Sequence, residues 1–486
     1  MSRATDAPPR PSADAPRIHW FRRDLRLADN PALTAAADGG PVLPVFVLDP
    51  ETEALGAAAR WRLELGLEAL AGRLEAAGSR LILRRGEAAE VLPALARETG
   101  AGAVHWGRLH RPIWRERDAA VAAALRKAGL AAEDHPGHLL HEPGTVTTRE
   151  GGPFRVFTPF WNAIGPRDPG PSLPAPRLAA PADWPGSDTL ADWRLGAAMD
   201  RGGAVVRDHA HPGEAAARRR LTEFLEFRLA AYPRDRDRPD RPGGSGLSEN
   251  LTWGEISPRE VWTIGRDHGG PGSDAFLREL AWREFAWHLL HHTPEIERRA
   301  WRPDWDGFPW RRDNPDAERW RRGMTGEPLV DAGMRELFVT GTMHNRVRMV
   351  VASYLTKHLL THWRVGLAWF EDCLIDWDPA SNALNWQWVA GSGPDAAPFF
   401  RIFNPETQAD RYDPDGAYRR RWLRGYDGAA PGPEADAFFA AAPRSWDLDP
   451  DAPLPKPVIS LGVGRQRALG AYEHHRHSHA GSGSGG

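Results

Sequence analysis

Four short apolar runs, each followed by a helical pattern, occupy the N-terminal quarter of the chain and narrow its possible folds more than any other feature. They are Ile18-His19-Trp20, Val42-Leu43-Pro44-Val45-Phe46-Val47, Arg80-Leu81-Ile82-Leu83 and Ala103-Val104-His105-Trp106. Between Arg60 and Ala77, Leu63, Leu67, Leu70 and Leu74 recur at three- and four-residue spacing, the apolar stripe of a helix that covers one face of a sheet. Strand, helix, strand repeated in this way predicts an α/β, doubly wound parallel sheet. No Gly-x-Gly-x-x-Gly follows the first run and no Gly-Lys-Ser/Thr loop occurs, so nothing marks this sheet as a nucleotide site. Its chemistry is expected elsewhere.

From Pro166 to Gly203 Pro, Asp, Gly and Ala dominate, a composition that suits a connector better than packed elements. Beyond it the patterns are helical almost without interruption. Ser257-Pro258-Arg259-Glu260 has the spacing of a capping box with Pro at the first helical position. The expected division is a disordered tail at 1–16, an α/β domain at 17–145, an interdomain linker at 146–205, an all-α domain at 206–473 and a second disordered tail at 474–486. That last tail holds His474, His475, His477 and His479; a His cluster can bind metal, but a frayed end is expected and no metal site is assigned.

With 486 residues the chain can bury the cores of two domains. No apolar run approaches the length of a bilayer and residues 1–16 lack an apolar stretch, so neither a leader nor a membrane span is expected. The single cysteine, Cys373, leaves no disulfide framework and no four-thiolate iron–sulfur cluster, which points to a reducing cytoplasm. A net charge of −3 hides local clustering. Arg302, Arg311, Arg312, Arg319, Arg321, Arg322, Arg346, Arg348 and Arg364 interleave with Trp301, Trp305, Trp310 and Trp320. Such a run is either a solvated helical face or a phosphate-contacting surface. With only three lysines among 62 basic residues, phosphate contact would fall to Arg forks.

Function shows between Thr340 and Pro405, where Trp, Asn, Arg and Asp crowd onto helical patterns. A redox cofactor needs a dry aromatic wall and a few polar groups that set its charge, and both are here. Gly341-Thr342-Met343-His344-Asn345-Arg346-Val347-Arg348-Met349, Trp386-Gln387-Trp388 and Arg401-Ile402-Phe403-Asn404-Pro405 resemble elements of the photolyase and cryptochrome family, as does Trp20-Phe21-Arg22-Arg23-Asp24-Leu25-Arg26. These motifs fall in the family's order, and the resemblance runs to about Tyr472. One departure is Thr342, where the family usually has Trp.

The resemblance implies a helical C-terminal domain that holds FAD, active in its reduced anionic form. Gly244-Ser245-Gly246-Leu247-Ser248 matches the phosphate-binding segment, with Gly244 in place of Thr, and Tyr232 matches an upstream tyrosine. Arg283, Arg348, Asp376, Asp378 and Asn382 match cofactor positions, Asn382 facing the flavin's reactive nitrogen. Trp386, Trp363 and Trp310 match, from flavin to surface, the electron-transfer tryptophans.

Glu279, Trp282 and Arg283 share one face of a helix predicted from Asp274 to His292. Glu279 and Trp282, with Asn345 and Met349, match lesion-pocket and catalytic positions. Asn and Met at the last two favour cyclobutane pyrimidine dimers over (6-4) lesions, and a class I enzyme. Arg236, Arg346, Trp388, Arg401 and Gln408 match further DNA contacts. The implied activity is light-driven repair of such dimers by a deoxyribodipyrimidine photo-lyase acting as a monomer on damaged DNA. A cryptochrome-like photoreceptor and a DNA-binding flavoprotein without repair are the alternatives. Where folate-binding relatives carry Asn-Glu before Arg-Asp, this chain has Ile113-Trp114 before Arg117-Asp118. A second, antenna chromophore is therefore left open in identity.

Overall fold

In the computed structural model, which describes Ser12 and residues 14–480 apart from Asp200, Ala396, Ala397 and Phe400, the four apolar runs become strands of one sheet. Strands β1 (Arg17–Phe21), β2 (Val42–Leu48), β3 (Ile82–Arg85) and β4 (Ala103–Gly107) are joined by a fifth, β5 (Ala131–His135), in the order β3-β2-β1-β4-β5 with every pair parallel. The fifth strand has no apolar signature because it is an edge strand with part-exposed residues, and charge at an edge discourages further pairing.

Helices cover both faces, so the inner strands read as continuous apolar runs. On one face, α1 (Pro31–Gly39) and α2 (Ala57–Ala76) bury Leu33, Leu63, Leu67, Leu70 and Leu74 with Phe21, Phe46 and Leu83. On the other, α3 (Ala88–Thr99) and α4 (Pro112–Lys127) set Leu92, Leu95, Val121 and Leu125 against Ile18, Val45, Ile82 and Val104.

The first of these cores continues without a break into the helical half, through Trp253, Trp320, Leu337, Trp363 and Trp386. Arg62 of α2 is fully buried at that joint and donates to Glu255 at 3.0 and 2.6 Å and to Glu249 at 3.0 Å. A buried guanidinium is tolerable only when its forks are matched in this way. The Trp20–Arg26 motif acts at the same place: Arg26 donates to the Gly254 carbonyl at 3.0 Å and Arg23 lies over the Trp253 ring at 4.2 Å. Gly254 has a φ of 66°, and a Cβ there would overlap the Arg23 carbonyl, so both conformation and space require glycine.

Residues 146–205 are not a plain connector. Phe157, Phe160 and Ile164 of α5 (Phe157–Ile164) pack with Phe285 and Leu289, because an apolar stripe precedes the Pro-rich part of the segment. The helical half then contains α6 (Glu214–Phe227), α7 (Ser248–Trp253), α8 (Pro258–His268), α9 (Ser273–His292), α10 (Pro328–Thr340), α11 (Asn345–Ser353), α12 (Trp363–Cys373), α13 (Pro379–Ala390) and α14 (Leu461–Ala480). Half of the predicted capping box forms: Ser257 accepts from the Glu260 N–H at 2.9 Å, but the Glu260 carboxylate turns to Arg218 at 2.6 Å.

The tail expected at 474–486 is corrected by α14, which continues to Ala480 with His475 buried against Trp305 and Phe308. Residues 481–486, and most of the tail at 1–16, lie outside the described residues. Among the described residues no helix is long and apolar enough to cross a membrane.

Candidate active site

The helical half encloses a cavity of about 540 Å³ whose wall is made by α9, α11, α13 and the segments around Tyr232, Ser245 and Asp376. As the helical period predicts, Glu279, Trp282 and Arg283 line it together from α9. Asn345, Arg348 and Met349 line it from α11, and Asn382, Trp386 and Trp388 from α13. Apolar surface is supplied by Leu247, Phe276, Leu280, Ala352, Phe370 and Leu384.

Its polar base is built by backbone capping. Asp378 is the N-cap of α13, accepting from the Ser381 N–H at 2.8 Å through one oxygen and from the Trp287 indole at 3.0 Å through the other. Arg348 donates to Asp376 at 2.8 Å and to the Met343 carbonyl at 2.8 Å. The second oxygen of Asp376 is buried without a hydrogen-bond partner in the protein. Asn382 donates through Nδ2 to the Leu367 carbonyl at 3.1 Å. That bond uses one of its two amide N–H groups and anchors the side chain to α12 while the residue lines the cavity. His344 caps α11, accepting from the Arg346 N–H through Nδ1 at 3.2 Å. Burial lowers this imidazole to about 4, so it stays neutral and able to accept.

Trp386 stands at the cavity wall and meets Phe370 and Trp320 edge-on, with centroids at 5.0 and 6.1 Å. Its ring fills the space above Gly366, one helical turn from Trp363 on α12. Trp363 is buried, and His362 lies between it and Trp310, at 5.4 Å from the first ring and 6.0 Å from the second. Of the three tryptophans only Trp386 lines the cavity, while Trp363 is buried behind it and Trp310 is half-buried.

At the mouth, Arg236 is bonded to Glu279 at 2.6 Å, so two residues expected to act separately form one ion pair. Arg346 pairs with Asp237 at 2.8 Å and stacks on Tyr412 at 4.5 Å. Gln408 lies four residues before that Tyr in the helix Pro405–Tyr412, and Arg401 is exposed. Arg346, Arg401, Gln408, Trp310, Trp363, Gly244 and Gly246 do not line the cavity, whereas Tyr232, Ser245, Leu247 and Ser248 do. The helix opened by Ser248 is only six residues long, so its hydroxyls, rather than a helix dipole, are the anion-binding resource of this segment.

Several supporting residues have no sequence signal. Phe157 stacks on Trp282 at 3.7 Å with planes 6° apart, leaving one face of that indole for the cavity. Glu284 accepts from the Leu140 N–H at 2.7 Å and from Arg283 at 3.0 Å, which places Arg283; burial raises its carboxyl to about 7. Gly366 and Trp287 owe their roles to contacts between helices far apart in the chain.

Residues 17–177 match the family described as DNA photolyase and residues 276–474 the family described as FAD binding domain of DNA photolyase. A deoxyribodipyrimidine photo-lyase of Agrobacterium fabrum is 48% identical over 416 residues, 84% of this chain and 87% of that protein. Among solved structures, a bacterial class III photolyase from Agrobacterium tumefaciens aligns with a TM-score of 0.86 at 44% identity, covering 95% of this chain and 98% of that one. A Synechocystis cryptochrome aligns at 0.82 and 28%, covering 94% and 99%. The class III description differs from the class I subdivision expected above. The cavity fits FAD on its own terms: apolar walls, two serine hydroxyls, and a buried carboxylate oxygen without a donor.

Proposed function

For a chain that belongs to the photolyase and cryptochrome family and whose cofactor is FAD, we propose light-driven repair of cyclobutane pyrimidine dimers in DNA, as a deoxyribodipyrimidine photo-lyase. The observation that carries this reading is one cavity in which Glu279, Trp282, Asn345 and Met349 stand beside Arg348, Asp376, Asn382 and Trp386. The class is left at photolyase, without the class I label.

Bound in its reduced form, FAD would lend an electron on excitation and take it back once the two carbon–carbon bonds of the dimer had opened, so that no net oxidation or reduction remains. The chain's own work is positioning and charge control. Asn382, anchored on Leu367, offers a neutral amide where a carboxylate would oppose an anionic flavin. The Arg348–Asp376 pair is charge-compensated and keeps one acceptor oxygen for the cofactor. Ser245 and Ser248 would take the pyrophosphate, with Tyr232 alongside. Trp386, then Trp363 and Trp310, would carry a hole outward, and Trp386→Phe should suppress photoreduction of the isolated protein.

A dimer reaches the cavity only if it leaves the duplex, and photolyases are themselves a standing example of such base flipping. The open face of Trp282 is a stacking surface for it, and Glu279, held by Arg236, has a second oxygen for the lesion's N–H groups. Arg236, Arg346, Arg401 and Gln408 would meet the flanking backbone. The proposed acting unit is a monomer, and the proposed setting is the cytoplasm.

The test is blue light with purified flavoprotein and oligonucleotides carrying either a cyclobutane dimer or a (6-4) product. Restoration of the dimer substrate alone is expected. Failure to repair either, with flavin bound and photoreducible, would favour a cryptochrome-like photoreceptor. Lesion binding without turnover would favour a DNA-binding flavoprotein.

A further inference from the structure

At the edge of the parallel sheet, outside the cavity, β4 and β5 bring three ligand atoms around one point. His105 pairs in register with Glu133, and His135 pairs with Gly107 two residues further on. The two-residue alternation of strands therefore turns all three side chains to the same face. Nδ1 of His105 lies 3.1 Å from Nε2 of His135 and 3.5 Å from Oε2 of Glu133, and Nε2 of His135 is 4.0 Å from that same oxygen.

We propose that His105, Glu133 and His135 form a binding site for a zinc-like divalent ion, with the fourth position open to water. A four-coordinate ion with bonds of about 2.0–2.2 Å to nitrogen and oxygen separates its ligand atoms by about 3.3–3.6 Å. The three observed edges bracket that value. A hydrogen bond between two imidazoles accounts for the shortest edge alone and leaves the carboxylate at or beyond hydrogen-bond reach of both rings. An ion at the centre uses all three atoms.

The ligand set selects the metal. Two imidazoles and one carboxylate suit zinc, nickel or copper rather than calcium or magnesium, which take oxygen shells. The Glu133 side chain is 50% exposed and that of His135 19%, so an ion can enter from solvent, while buried His105 holds the floor. Arg17, the nearest cation to Glu133 on β1, is turned to the Ala15 and Ser12 carbonyls at 2.6 and 3.1 Å. Bound metal would tie the weakly apolar edge strand to β4, the strand it pairs with, coupling occupancy to stability of the sheet edge.

Flavin-loaded protein stripped of metal by a chelator is titrated with Co²⁺ and then with Zn²⁺, beside Glu133→Gln and His135→Ala. The histidines of α14 are present in all three proteins and cancel in the comparison. Flavin content and light-driven repair, which neither position touches, check the folding of the variants. Wild type should bind one more equivalent than either variant, show the strong visible absorption of four-coordinate Co²⁺, lose it to Zn²⁺, and melt at a higher temperature with metal. Equal uptake and equal spectra in all three would overturn the proposal.

Discussion

Replacing Gly366 by alanine sets two effects of opposite sign against each other at the cavity wall. On helix propensity alone the change should stabilise α12 by about 1 kcal/mol. The added Cβ, however, would stand 2.5 Å from two carbons of the Trp386 six-membered ring and closer still to a third. That ring is 2% exposed and held edge-on by Phe370 and Trp320, so it can yield chiefly toward the cavity it lines. Restoring ordinary carbon contacts of about 3.5–4.0 Å needs a movement of about 1.5 Å or more in the ring or in α12. Overpacking of this kind costs about 1–3 kcal/mol, occasionally more. With so deep an overlap the cost falls at the upper end of that range, about 3 kcal/mol, so the clash wins for a net loss of about 2 kcal/mol, and the displacement falls on the cavity wall. Denaturant unfolding followed by tryptophan fluorescence should show a lower midpoint, and photoreduction of bound flavin should slow. Adding Trp386→Phe removes the atoms in the way, so the double variant should recover part of the stability; this non-additivity is the signature of direct contact. A Gly366→Ala protein more stable than wild type, with photoreduction unchanged, would refute the reasoning.

Asn382→Asp places a carboxylate on the cavity wall proposed to face the flavin and removes the donor to Leu367, so the stable photoreduced spectrum should move away from the anionic form; an unaltered spectrum counts against the role proposed for the amide. Arg236→Ala and Arg346→Ala should each lower the slope of log K against log salt for lesion DNA by about 1. Arg236→Ala should cost more affinity, because it also leaves the Glu279 charge uncompensated at the mouth, and equal losses would argue against that pairing. Acid should destabilise the protein. Burial lowers His110 and His288 to about 3 and His291, His344, His358 and His362 to about 4. In the unfolded chain these six rings take up protons near about 6.5 that the folded protein refuses, so stability rises with pH up to that point. Glu284, Glu327 and Glu336, each raised to about 7 by burial, act in the opposite sense, since the folded state keeps protons the unfolded chain has lost. Six groups outweigh three, and unfolding free energy measured between about pH 4.5 and 6.5 should climb; a flat or falling profile would contradict these environments.

The chain's periodicities were enough for the two-part architecture. Apolar runs and the Leu63–Leu74 stripe specify β1 to β4 and α2 because burial on both faces of a parallel sheet is written directly in composition. The edge strand β5 escaped because one open side removes the need for apolar residues, and α5 escaped because the Pro-rich stretch behind it dominates the local signal. On α9 and α11 helical period alone places Glu279 with Trp282 and Arg283, and Asn345 with Arg348 and Met349, so these faces are legible from spacing.

What the sequence could not contain is which faces meet. That Asn382 is anchored on Leu367, that Phe157 occupies one side of Trp282, that Arg236 and Glu279 neutralise each other, and that Gly366 exists to admit Trp386 are all contacts between elements distant in the chain. Local spacing fixes the direction of a side chain relative to its own helix or strand. Only close packing of those elements against one another, which depends on the whole set of side-chain volumes at once, decides what that side chain touches.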